Sequence, residues 1–194
     1  MTLWVLARAA GFVALLAASL TVALGATASS TRRDGRILAQ LVHRSAAVIT
    51  LAMLGLHAVL LVADHFVAVS VLGALVPFTA GYRAVALGLG TLAAYAFVVV
   101  AATGALRGRL ANGTRSAIAW RGVHVSAYAA WVLAMAHGVL AGTDTLRGWA
   151  LVIYGLSAVV VGGAVAHRLA DGARAHRSSL ARARRLAVPA GGTR

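Results

Sequence analysis

The chain has 194 residues, 61% hydrophobic and 11% charged, where a soluble domain is about 45–50% apolar and about 25% charged, so a soluble globule is excluded. All eighteen basic residues are Arg, set against four Asp and no Glu, for a net charge of +14; that leaves no paired-carboxylate acid–base site and no acidic cage for a hard metal. With no cysteine there is no disulfide, thiolate zinc site, iron–sulfur cluster or covalently attached haem, and any redox chemistry needs a cofactor held non-covalently.

A membrane span needs roughly 20 apolar residues, and five stretches qualify. The first is uncharged from Ala9 to Thr31. Ala26-Thr27-Ala28 looks like a leader cleavage site, but the basic cluster Arg32, Arg33 and Arg36 follows the apolar run instead of preceding it, so the run is expected to remain as a helix. The second is uncharged from Ser45 to Ala63, just after His43 and Arg44. The apolar run Phe66 to Tyr82 contains Pro77 and is separated from the third span, Ala84 to Leu106, by Arg83 alone. Two spans cannot reverse through one residue, so this run is predicted as a loop with a short interfacial helix. The fourth span is Gly122 to Thr143 and the fifth Gly148 to Ala166. The predicted fold is an all-α integral membrane helical bundle of five transmembrane helices, with a membrane domain over 1–167 and a basic tail over 168–194.

Cytoplasmic loops collect Arg. A cytoplasmic C-terminus and an outside N-terminus put Arg32, Arg33, Arg36, Arg107, Arg109, Arg115 and the tail on the inner side, leaving Arg8, Arg83 and Arg147 outside. The tail (Arg174, Arg177, Arg182, Arg184, Arg185 and Arg194, with Asp171) reads as a topology signal and solvated end, or as a dock for anionic lipid or an acidic partner. Its charge is assigned to the membrane and not to nucleic acid.

Four histidines lie at membrane depth, where an ionisable side chain is costly and points to function. His43 and His57 are in the second span, His124 and His137 in the fourth. Both spans run in the same direction, so His43 and His124 share an inner layer and His57 and His137 an outer one, about 20 Å apart at 1.5 Å per residue. A bis-imidazole layer without carboxylate or thiolate suits haem iron better than zinc, which wants a fourth ligand. The alternative is core or interfacial histidines bonded to backbone carbonyls. A spacing of 14 keeps His43 and His57 on one face, whereas 13 leaves His137 about 140° short of His124 on an ideal helix. A local overwinding or kink is therefore predicted, with Gly122, Ser126 and Gly138 as candidate places. His65, His167 and His176 are read as interfacial.

At these residues the sequence resembles the ferric reductase-like transmembrane domain, the haem-binding core of ferric reductases and NADPH oxidases. The resemblance rests on His43-x13-His57 and His124-x12-His137. It is reinforced by Trp120-Arg121-x-x-His124-x-x-x-Tyr128, Ala136-His137-Gly138 and Ala141-Gly142-Thr143-Asp144-Thr145, which are similar to small bacterial members such as the haem subunit of the periplasmic methionine-sulfoxide reductase system. It spans about Trp4 to Arg168 and implies two b-type haems per chain, with the four histidines as axial ligands, in a bacterial plasma membrane. The family usually has six helices, and this chain is expected to lack the first. No Gly-rich dinucleotide fingerprint is present, so flavin or NAD(P)H chemistry is expected only through a separate partner.

The implied activity is electron transfer, an oxidoreductase-type function with no catalytic residue of its own. Electrons would pass from a cytoplasmic flavoprotein or quinol to an extracytoplasmic acceptor, either a ferric chelate or a dedicated reductase protein. Haem propionates need cations, for which Arg44 and Arg121 are the inner candidates and Arg83, with Arg147, the outer. Tyr128 and Trp131 are expected to wall the inner haem or to pack in the core; Gly55 and Gly138 are candidates for admitting the macrocycle or for helix packing. Tyr82 and Trp149 read as interfacial belt residues. Readings from other classes are a haem-free proton or metal transporter, for which the spans lack an acidic relay, and a structural membrane subunit.

Overall fold

Apolar runs with no water around them must satisfy their own backbone amides, and a helix does this within one segment. The computed structural model describes residues 2–28, 33–65, 69–110 and 112–187; among these there are eight helices and no strand. In chain order they are α1 (Thr2–Thr27), α2 (Arg33–Ala63), α3 (Val71–Leu75), α4 (Ala84–Ala105), α5 (Arg107–Leu110), α6 (Thr114–Val125), α7 (Ala127–Ala141) and α8 (Gly148–Ala187). Five units are long and apolar enough to cross a membrane: α1, α2, α4, α6 with α7, and α8. The protein is an all-α membrane helical bundle.

The helices overrun the predicted spans for identifiable reasons. Helix α1 takes in Arg8 because that guanidinium is ion-paired with Asp144; it ends at Thr27, and residues 29–32, including Arg32 and the predicted end at Thr31, lie outside the described residues. Helix α8 has 40 residues, about 60 Å at 1.5 Å per residue and twice the hydrocarbon thickness. Its continuation past Ala166 is stitched by Asp171, which meets His167 at 3.3 Å and Arg174 at 3.6 Å, one turn either way. No helix break marks the 167/168 boundary, and the end of the tail from 188 onward lies outside the described residues.

The short interfacial helix predicted between the second and third spans is α3. Ser70 Oγ caps it by accepting from Gly73 N–H at 3.0 Å. Two α4 side chains fasten it down: Thr91 Oγ1 donates to the Ala74 carbonyl at 3.0 Å and the Tyr95 hydroxyl to the Leu75 carbonyl. Phe78, in the left-handed region at φ 68°, seats its ring on Gly88, where a Cβ would come within 2.3 Å. Only glycine admits that approach.

Helix α1 packs along α2, α8 and α7, while α4 packs on α7. Small residues allow this closeness: Ala23 and Ala26 meet Ala164, with Tyr128 against them, and Leu15 meets Ala150 and Tyr154, with Phe12 and Trp131 filling in. Among the described residues α2 makes no extended contact with α6 or α7. The two histidine-bearing units thus face each other across a gap, each held from the side, α2 by α1 and α7 by α4.

Candidate functional site

The gap is where the four intramembrane histidines meet. His43 on α2 and His124 on α6 have ring centroids 6.3 Å apart, with planes at 54°. His57 on α2 and His137 on α7 are 6.1 Å apart, at 79°. All four are half-buried. The predicted pairing by depth is therefore the pairing in space.

Three rings are fixed by the helix beside them. His57 Nδ1 lies 2.6 Å from the Ala7 carbonyl, His43 Nδ1 2.9 Å from that of Thr21, and His137 Nδ1 2.8 Å from that of Ala86. A carbonyl can only accept, so Nδ1 carries the proton and donates it, leaving Nε2 with the lone pair. Four residues after each carbonyl stands a glycine. A Cβ at Gly11 would meet His57 at 3.1 Å, at Gly25 it would meet His43 at 3.3 Å, and at Gly90 it would meet His137 at 2.6 Å. Gly104 occupies the equivalent place beside His124, with a Cβ contact of 3.5 Å. His124 Nδ1 has no hydrogen-bond partner among the described residues. Its ring stacks instead on Trp120, at 4.8 Å and 19°.

The 13-residue interval between His124 and His137 is accommodated at Ser126, one of the candidate places. Ser126 ends α6 and begins α7, and its N–H donates to the Val123 carbonyl at 3.1 Å, a bond to the third residue back. Such a turn winds at about three residues and rises about 2.0 Å per residue. Over three residues it adds about 1.5 Å of rise and about 60° of rotation, which is the whole length and over half of the rotation that a 13-residue interval lacks against the 14 of α2.

The His57/His137 pair opens into a cavity of about 210 Å³. Its walls are mainly apolar, including Leu15, Leu54, Leu61, Leu87, Phe97 and Ala134, and at one end it meets Arg8, Asp144 and Thr145. Among the described residues no three His or Asp side chains converge as a metal cage, and two imidazoles are too few for tetrahedral zinc. A metal bound by an imidazole on each side, about 2 Å per bond plus about 1 Å from nitrogen to ring centre, separates the centroids by about 6 Å. The two imidazoles of each pair, their spacing and, at the His57/His137 pair, the apolar wall fit a haem iron.

The arginine candidates are less well gathered. Arg44 and Arg121 are exposed on α2 and α6. Arg83, at the α4 N-cap with φ 44°, donates Nη1–H to the Leu140 carbonyl at 2.8 Å and lies over the Tyr82 ring. Arg147 Nε donates to Asp144 at 3.0 Å, and Arg8 holds the same carboxylate. The cation lining the cavity is Arg8, which spacing did not single out because its carboxylate partner is distant in sequence.

Other expectations resolve as packing. Trp131 donates Nε1–H to Ser19 Oγ at 2.9 Å within the α1–α7–α8 core, and Tyr128 packs against α1 and α8 while accepting from Arg168 at 3.3 Å. A Cβ at Gly55 would meet open space, while Gly138 lines the cavity with His137 and a Cβ there would meet the Tyr154 hydroxyl at 3.0 Å. Trp149 packs edge-on against Phe12 at 5.0 Å, and Tyr82 lines the cavity. The glycines that do lie against the rings, Gly11 and Gly25 and likewise Gly90 and Gly104, repeat the 14-residue interval of His43 and His57, a spacing that points to the rings only once the helix neighbours are known. Comparison of the chain with protein-family models, curated proteins and solved structures gave no match.

Proposed function

We propose that the chain is a ferric reductase-like transmembrane electron carrier holding two b-type haems, one between His43 and His124 near the cytoplasmic face and one between His57 and His137 near the outer face. The observation that carries this reading is the two histidine pairs, 6.3 and 6.1 Å apart by ring centroid, bridging helices that do not otherwise pack. A haem held between each pair of imidazoles would supply one-electron exchange.

The chain's own work is to hold and insulate. The carbonyls of Ala7, Thr21 and Ala86 orient three imidazoles with the Nε2 lone pair available. The adjacent glycines provide clearance, and the apolar walls exclude water, which protects a reduced centre from side reactions. Arg8 and Arg83 supply positive charge at the outer end, Arg44 and Arg121 at the inner. The two layers are 14 residues apart on α2, about 21 Å along the helix. The donor is a cytoplasmic flavoprotein or quinol, and the acceptor is an extracytoplasmic ferric chelate or reductase protein.

The test is an oxidised and a dithionite-reduced absorption spectrum of the detergent-purified protein, with haem extracted and counted. Two b-type haems per chain, falling to one in His57→Ala, are expected. A colourless folded protein that cannot take up added haem overturns the reading in favour of a transporter or structural subunit.

A further inference from the structure

Three of the four imidazoles are held in one way and the fourth in another. Ala7, Thr21 and Ala86, each four residues before its glycine, accept Nδ1–H from His57, His43 and His137. The residue four before Gly104 is Val100, so its carbonyl is the counterpart for His124. That carbonyl is taken by the Thr103 hydroxyl, which donates to it at 3.0 Å, in addition to the ordinary helix bond from the fourth residue on. Both lone pairs are committed, and His124 Nδ1 is left buried without a hydrogen-bond partner among the described residues.

Thr103 also fixes what replaces the missing bond. Its backbone carbonyl accepts Nε1–H from Trp120 at 2.9 Å, and Trp120 stacks on His124. Arg107 lies over the indole, 5.0 Å from its centroid. One residue thus removes an acceptor with its side chain and secures a stacking partner with its main chain.

Hydrogen bonding at the distal nitrogen raises the basicity of a ligating imidazole, and a more basic imidazole favours ferric over ferrous iron. Second-shell bonds and nearby charge are among the levers that set the potential of such a site. We propose that Thr103 and Trp120 are positioning residues that leave His124 the weakest electron donor of the four, giving the His43/His124 site the higher reduction potential of the two. The Arg107 cation acts in the same direction. This inference rests on the haem reading above.

The test is a spectroscopic redox titration of the full two-haem protein, with the His43/His124 wave assigned from His57→Ala. Wild type is expected to titrate in two waves, the His43/His124 wave at higher potential. Thr103→Ala frees the Val100 carbonyl for His124, so the ferric-to-ferrous ratio of that wave at fixed ambient potential is expected to rise about three- to tenfold, tenfold being about 59 mV for one electron. The other wave stays in place, and Thr103→Ser, which keeps the hydroxyl, titrates like wild type. An unmoved or raised wave in Thr103→Ala, the same shift in Thr103→Ser, or loss of that haem alone from Thr103→Ala overturns the inference with the haem reading intact. A wild-type protein without haem overturns the functional reading itself.

Discussion

A methyl group at Gly90 is a sharp probe of the site. In Gly90→Ala the new Cβ stands 2.6 Å from His137 Nδ1, against an ordinary non-bonded separation of about 3.5 Å. The ring must move by about 1 Å, and its 2.8 Å bond to the Ala86 carbonyl is lost. The hydrogen bond is worth about 0.5–1.5 kcal/mol and overpacking costs about 1–3 kcal/mol. If a haem sits between His57 and His137 as proposed, together these weaken its retention roughly 10- to 1,000-fold, at about 1.4 kcal/mol per tenfold. The same change at Gly11, Gly25 and Gly104 leaves 3.1, 3.3 and 3.5 Å, so the damage should fall in the order Gly90, Gly11, Gly25, Gly104. At Gly55, where a Cβ meets open space, alanine should be silent. Haem per chain after purification, with helicity followed by circular dichroism, reads the series. Full haem retention in Gly90→Ala alongside loss in Gly104→Ala would refute the clearance argument.

Three further outcomes are expected. Inserting one alanine directly after Ser126 turns His137 by about 100° relative to His124, and one of the two proposed haems should be lost with helicity retained. Asp144→Asn deprives Arg8 and Arg147 of their shared carboxylate; a bond to a charged group is worth about 1.5–3 kcal/mol, so the thermal midpoint in detergent should drop measurably. Trp131→Phe removes the bond to Ser19 Oγ, and should cost about 1 kcal/mol of stability with the spectrum unchanged; a changed spectrum would return Trp131 to the haem wall.

Much of the architecture is legible from hydropathy, because a segment surrounded by hydrocarbon has few options but a helix. The short helix α3 between the second and third spans followed from the single Arg83 between two apolar runs. The depth pairing of His43 with His124 and His57 with His137 was likewise readable, since rise per residue is nearly constant along parallel helices. The one-residue mismatch between intervals of 14 and 13 pointed to an irregular turn, and Ser126 was among the places named. The cradle was not read from the sequence. The glycines at 11, 25, 90 and 104 acquire meaning only once α1 is known to lie antiparallel beside α2, and α4 beside α7.

The sequence by itself determined that the protein is a five-span helical bundle with paired imidazoles at two depths. These are properties of composition and of one-dimensional spacing, and helix geometry converts spacing into depth. Tertiary structure alone decided which helix supports which imidazole. It gave Asp144 to Arg8 and turned Tyr128 and Trp131 into the core. Each of these depends on which helix faces lie together, and nothing in the order of residues along one helix specifies its neighbour across the bundle.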